Sequence, residues 1–93
     1  MKVTRKQVIE MIQKKVNFVN SALAGYWDID HYVVYSYAEP IAIYAKGAWY
    51  IHDLKCSKTT SRHINKVKNA VLYFTLIDYD EMKRMVNQSN MID

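Results

Sequence analysis

Apolar residues recur at helical spacing through Val8, Ile12, Val16, Val19 and Leu23. Thr4 with Gln7 three residues later fits a capping box, and Gly25 offers a C-terminal stop. The pattern predicts a long helix over about residues 4–24. From His31 the period changes. Tyr32 to Tyr37, Ile41 to Ala45 and Ala48 to His52 are β-branched and aromatic runs, which read as a three-stranded antiparallel meander. Glu39-Pro40 is expected at its first turn, where Pro fixes φ, and Lys46-Gly47 at its second, where Gly accepts φ > 0. Alternation puts Val33, Tyr35 and Tyr37 on one face of the first strand, Ile41 and Ile43 on one face of the second, and Trp49 and Ile51 on one face of the third.

Thr59, Thr60 and Ser61 each suit an N-cap for a second helix, which carries Ile64, Val67 and Val71 and is expected to end near Phe74. Residues 71–77 could also form a fourth strand, because a short apolar run has no decisive period. Asp78 with Glu81 suggests another capping box, opening a last helix with Met82, Met85 and Val86 on one face. The expected fold is therefore α+β: a long N-terminal helix packed on a three-stranded sheet, followed by two shorter helices.

Length adds that residues 1–93 form one domain with a single core, without a Gly/Ser-rich or Pro-rich linker. No apolar run suits a signal peptide or a membrane span, and Cys56 is the only cysteine, so a cytosolic location is expected, with no intrachain disulfide. The net charge of +4 is unevenly spread. Residues 54–70 carry Lys55, Lys58, Arg62, Lys66 and Lys68 with no acid, whereas residues 25–53 carry Asp28, Asp30, Glu39 and Asp53 against Lys46. Charge poles of this kind favour steering toward an oriented partner.

Two candidate contact surfaces follow. At Lys58, Thr59, Thr60, Ser61, Arg62 and His63, with Lys66 a turn later, hydroxyls and cations gather at a helix start suited to a phosphate or a carboxylate. At Tyr26, Trp27, Asp28 and Asp30, aromatic and acidic residues share the approach to the sheet. Several sheet tyrosines are expected to stay exposed, where they could anchor a protein or stack bases. Catalytic chemistry has little to stand on: Cys56 and His63 lack an oxyanion site, and His52, Cys56 and His63 match no standard zinc spacing. Asp78, Asp80 and Glu81 are accounted for by their place at a helix start. A non-enzymatic binding protein with no cofactor or metal is expected.

Tyr35-Ser36-Tyr37, Pro40-Ile41-Ala42, Trp49, Thr59-Thr60-Ser61 and His63 together resemble a family of small phage and prophage proteins of unknown function. The resemblance covers roughly residues 32–71, with Cys56 standing where that family has an aromatic residue and Ile64 where it has Gln. It implies a phage origin and action in the host bacterial cytosol. By analogy it points to an antagonist of bacterial defence, in the manner of anti-CRISPR inhibitors, binding a Cas nuclease or its guide RNA complex. The alternative is a phage nucleic-acid-binding accessory or regulator. A homodimer formed by edge pairing within residues 41–52 is also compatible with the pattern.

Overall fold

The computed structural model describes residues 5–20, 22–37, 39–52 and 58–90. Helix α1 (Arg5–Lys14) leads into strands β1 (Phe18–Asn20), β2 (Leu23–Asp28), β3 (His31–Ser36), β4 (Glu39–Ala45) and β5 (Ala48–His52). Helix α2 (Lys58–Ala70), strand β6 (Thr75–Ile77) and helix α3 (Tyr79–Asn90) follow. The strands form one sheet in chain order, antiparallel from β1 to β5, with β6 added parallel to β5 after the α2 crossover. The fold class is α+β, but the long helix on a three-stranded meander is overturned: α1 has 10 residues and the sheet six strands.

The physical reason lies at Lys15. Its φ of 55° places it in the left-handed region, the Val16 amide donates to the Met11 carbonyl at 3.0 Å, and the Lys15 amide donates to that of Ile12 at 3.1 Å. This pair of bonds is a Schellman motif, which closes a helix. Val16, Val19 and Leu23 extended the helical period by coincidence of spacing, while Phe18 and Val19 belong to β1 and Leu23 to β2. Gly25, expected as a helix stop, lies mid-strand. A Cβ there would fall within 2.5 Å of the Phe18 ring and closer still to the Tyr32 hydroxyl, so only glycine lets these two rings close over β2.

Both faces of the sheet are covered, where one core was expected. On one face, Val8 and Ile12 of α1 and Ile64, Val67 and Ala70 of α2 pack on Phe18, Leu23, Tyr32, Val34, Trp49 and Ile51. On the other, Met82 and Val86 of α3 pack on Val33 and Ile43, with Tyr35, Tyr50 and Ile77 at the margin. A strand buried on both sides loses polar alternation, and β3 shows it: His31 to Val34 and Ser36 are all buried. A register shift between Val34 and Tyr35, which pair with Ala42 and Pro40, leaves Ile41 as an extra residue in β4. This bulge turns Ile41 toward the α1/α2 side with Ala42, separating it from Ile43 on the α3 side.

The β4–β5 turn falls at Lys46-Gly47 as expected, both at positive φ. The β3–β4 turn does not fall at Glu39-Pro40, which are the first residues of β4; Ser36 pairs with Glu39 across Tyr37 and residue 38. Helix α2 ends at Ala70 rather than near Phe74, and Thr75–Ile77 is a strand. Asp78 caps α3 through its carboxylate, which accepts from the Glu81 amide at 2.7 Å. The sheet edges are β1 and β6, so residues 41–52 occupy interior strands and offer no free edge for self-pairing. No helix among the described residues is long and apolar enough to cross a membrane.

Candidate functional site

The two surfaces foreseen from sequence lie at opposite ends of β3. At the Ser36 end, the helix-start cluster is divided. The Ser36 hydroxyl and His63 Nδ1 are hydrogen-bonded at 2.6 Å, and the Tyr37 ring lies 5.9 Å from the His63 ring. His63 is thus turned toward the sheet, and its imidazole titrates below the ordinary range because burial disfavours the cation and Lys66 repels it. Arg62 is exposed, while Ser61 and Lys66 are half-buried. Lys58, Thr59 and Thr60 open α2, and their side chains lie outside the described residues, as does Cys56. Of the residues offered as one phosphate site, His63 is turned away to serve the packing of α2 on the β3–β4 turn, while Arg62 stays exposed.

At the His31 end stands the β2–β3 hairpin. Asp28 pairs with His31, so Ile29 and Asp30 alone make the turn. Register fixes the directions. Trp27 sits opposite Tyr32 and shares its face, whereas Tyr26 and Asp28 lie on the α3 face. Trp27 is partly structural. Its indole N–H donates to the Lys15 carbonyl at 2.6 Å, its amide donates to Asn17 Oδ1 at 2.9 Å, and its ring tilts over Tyr32 at 5.6 Å. It ties the hairpin to the end of α1. The Tyr26 ring leans on Tyr35, whose phenol is pushed up by burial and then by the charge of Asp28. Tyr26, Trp27 and Ile29 are exposed large apolar groups, Ile29 at 69 %.

Ile29 is the unusual residue of the tip. Its φ is 57°, a region where a β-branched side chain crowds its own backbone, and where a two-residue hairpin turn ordinarily carries Gly or Asn. Its side chain points into solvent, so no packing of its own offsets that strain. Tyr26, Trp27, Asp28 and Asp30 stand out in the sequence as contact residues, whereas Ile29 between them does not. A turn signal at Asp28-Ile29-Asp30 was unreadable without a glycine or asparagine.

Beside this tip, a cleft of about 360 Å³ opens between α3 and the sheet. Its walls are Asp30, His31, Lys46 and Tyr50 from the sheet end and Glu81 and Met85 from α3, over Ile43, Ala45 and Ile77. Only Asp30 of these was singled out from sequence. The rest come together through strand register: His31 neighbours Tyr32, which pairs with Tyr44, and Tyr50 pairs with Ile43. His31 is 7 % exposed, with Nδ1 2.8 Å from the Asp30 carboxylate. Glu81 is engaged by Arg84, at 2.5 Å from Nη2. Among the described residues no group of His, Cys, Asp and Glu has the form of a metal site.

Compared with curated proteins and with solved structures, the chain matches none. A family model does match, over residues 5–85, which takes in all six strands, α1, α2 and the first half of α3. The chain belongs to this family of unknown function (DUF8033).

Proposed function

We propose that this protein is a non-catalytic binding module whose contact point is the β2–β3 hairpin tip. The observation that carries the reading is Ile29, exposed and held at a φ of 57°. Backbone strain of this kind, of order 1–3 kcal/mol, persists where it serves something other than stability. Here it projects an apolar side chain beyond Asp28 and Asp30, next to Tyr26 and Trp27, a combination suited to a protein surface that is apolar at its centre and basic around it. The partner we propose, following the resemblance to phage proteins, is a bacterial defence effector such as a Cas nuclease, whose nucleic-acid groove is basic.

The test is to plate phage on a CRISPR-targeting host and on a host without CRISPR while the protein is expressed. Wild type should restore plaques on the first host, and Ile29→Gly should fail to do so despite being the more stable protein. Full protection by Ile29→Gly would remove the tip from the mechanism, and no protection by wild type would remove the defence effector. A second reading rests on Tyr37, 62 % exposed beside His63, with Arg62 exposed on the same helix: a stacking and phosphate surface for single-stranded nucleic acid. It requires oligonucleotide binding that weakens steeply with salt, and the absence of such binding would end it.

A further inference from the structure

We infer that the outer edge of β6 is the interface through which two copies of this chain form a two-fold dimer. The inference is independent of what the hairpin tip binds. Strand β6 ends the sheet, and no described strand pairs with its outer side. Such an edge presents backbone donors and acceptors to any strand that approaches. Charge, proline, bulges or short length blunt an edge, and β6 has only the last: residues 72–77 contain no charged residue and no proline, and the pairing with β5 is regular. Leu72, Tyr73 and Leu76 are instead 89 %, 86 % and 54 % exposed. Register explains Leu76. It pairs with Ile51 and shares its face, yet Ile51 is fully buried, so α2 covers this face as far as β5 and leaves β6 bare. The opposite edge differs, because in β1 Phe18 is fully buried and Val19 and Asn20 are half-buried.

Symmetry and charge make the occupant a second copy. A two-fold axis normal to the sheet renders the β6–β6 pair antiparallel and keeps both Leu76 side chains on one face, so that the bare strip adjoins its own image. The flanking charges are complementary in that arrangement. Lys66 and Lys68 precede β6, and Asp78 and Asp80 follow it. Antiparallel pairing therefore brings the basic end of each copy toward the acidic end of the other, whereas parallel pairing sets like against like. Covering Leu72, Tyr73, Thr75 and Leu76 removes on the order of 500 Å² per copy, or about 1,000 Å² per pair, which is the lower bound for a specific interface. The dimer is accordingly weak, with Kd on the order of 100 μM. A closed pair uses up both β6 edges and ends growth. Strands β3, β4 and β5 lie between β6 and β2, so the hairpin tips stay open.

The test is analytical ultracentrifugation of the full-length protein from about 5 μM to about 1 mM, with amide hydrogen exchange of residues 75–77 measured at both ends of that range. Sedimentation should pass from monomer to dimer and stop there, while exchange in β6 slows as the dimer fills. Leu76→Lys puts a charge on the edge and should weaken pairing at least about tenfold. Antiparallel pairing sets position 73 near Asp78 and Asp80 of the second copy, so Tyr73→Glu should weaken the dimer more than Tyr73→Lys does. Both positions are exposed, and melting temperatures at the lowest concentration should show that the variants fold as wild type does. A monomer at about 1 mM would leave the edge to a strand of another protein and overturn the inference. A dimer as tight in Leu76→Lys as in wild type, growth beyond two copies, or Tyr73→Lys weakening the pair as much as Tyr73→Glu would overturn it too.

Discussion

Among the described residues, four other than glycine hold positive φ: Lys15, Ile29, Tyr37 and Lys46. Each ends an element or turns a hairpin, and of the four only Lys46 stands beside a glycine. This explains why the Lys46-Gly47 turn was legible in the sequence while the end of α1 and the other two turns were not. Left-handed backbone is written in sequence as Gly or Asn; when the surrounding contacts impose it on Lys, Ile or Tyr, no local signal remains. Gly25 misled in the opposite sense, since its purpose is room for two rings rather than a turn. Gly25→Ala should destabilise the protein by about 2 kcal/mol through overpacking, measured by urea unfolding. Adding Tyr32→Phe, which removes the nearest atom, should recover part of that loss, and strict additivity of the two changes would refute the account.

His63 provides a pH prediction at the same scale. Its folded-state pKa lies below the unfolded value near 6.5, so the unfolded chain binds more protons between the two values. The stability due to the neutral ring is present above about pH 6.5 and falls as the pH drops through that value. Melting temperatures from pH 8 to about pH 5 should decline less steeply in His63→Gln than in wild type. A parallel decline in the two proteins would show that the lowered titration of His63 does not set the pH dependence.

Elements were legible where the pattern and the caps agreed. The Asp78 cap, the Met82, Met85 and Val86 face of α3 and Ile64 and Val67 of α2 took the roles that their spacing indicated, while Val71, expected to continue the α2 stripe, packs in the same core from just beyond the helix end. Asp78→Ala should cost about 1 kcal/mol, because it leaves the Glu81 amide without its acceptor. The loss should appear as faster amide exchange in the first turn of α3 before any change in β3. The α1 stripe was legible only through Ile12, for the reason found at Lys15. Residues 75–77 were ambiguous because three residues of a parallel strand carry no period, and their strand character comes from pairing with Tyr50 to His52.

On the scale of the whole molecule, the missing information was the second core. A sheet read as three strands with one covered face becomes six strands with two, and among the sheet tyrosines, several of which were expected at the surface, Tyr32 is fully buried with its hydroxyl donating to the Val16 carbonyl at 2.7 Å. Long-range pairing decides this, and no window of sequence contains it. The hairpin-tip residues were legible as chemistry, and the cleft was not, since its walls are drawn from β3, β4, β5, β6 and α3. Met82→Ala, at a fully buried site of the second core, should cost about 3 kcal/mol, read as a lowered urea midpoint in far-UV circular dichroism.

The parallel β5–β6 pairing has a kinetic meaning. Strands β1 to β5 join by short hairpins and can zip in sequence, but β6 has no place to dock until α2 has formed and crossed the sheet. The β6–α3 segment is therefore expected to dock last and, near equilibrium, to open first, which hydrogen exchange resolved by segment would show. Its departure bares Val33 and Ile43 and dismantles one wall of the cleft while the meander stays whole. How often this hydrophobic face is shown to the surroundings is therefore governed by the opening free energy of one segment and not by the stability of the whole chain.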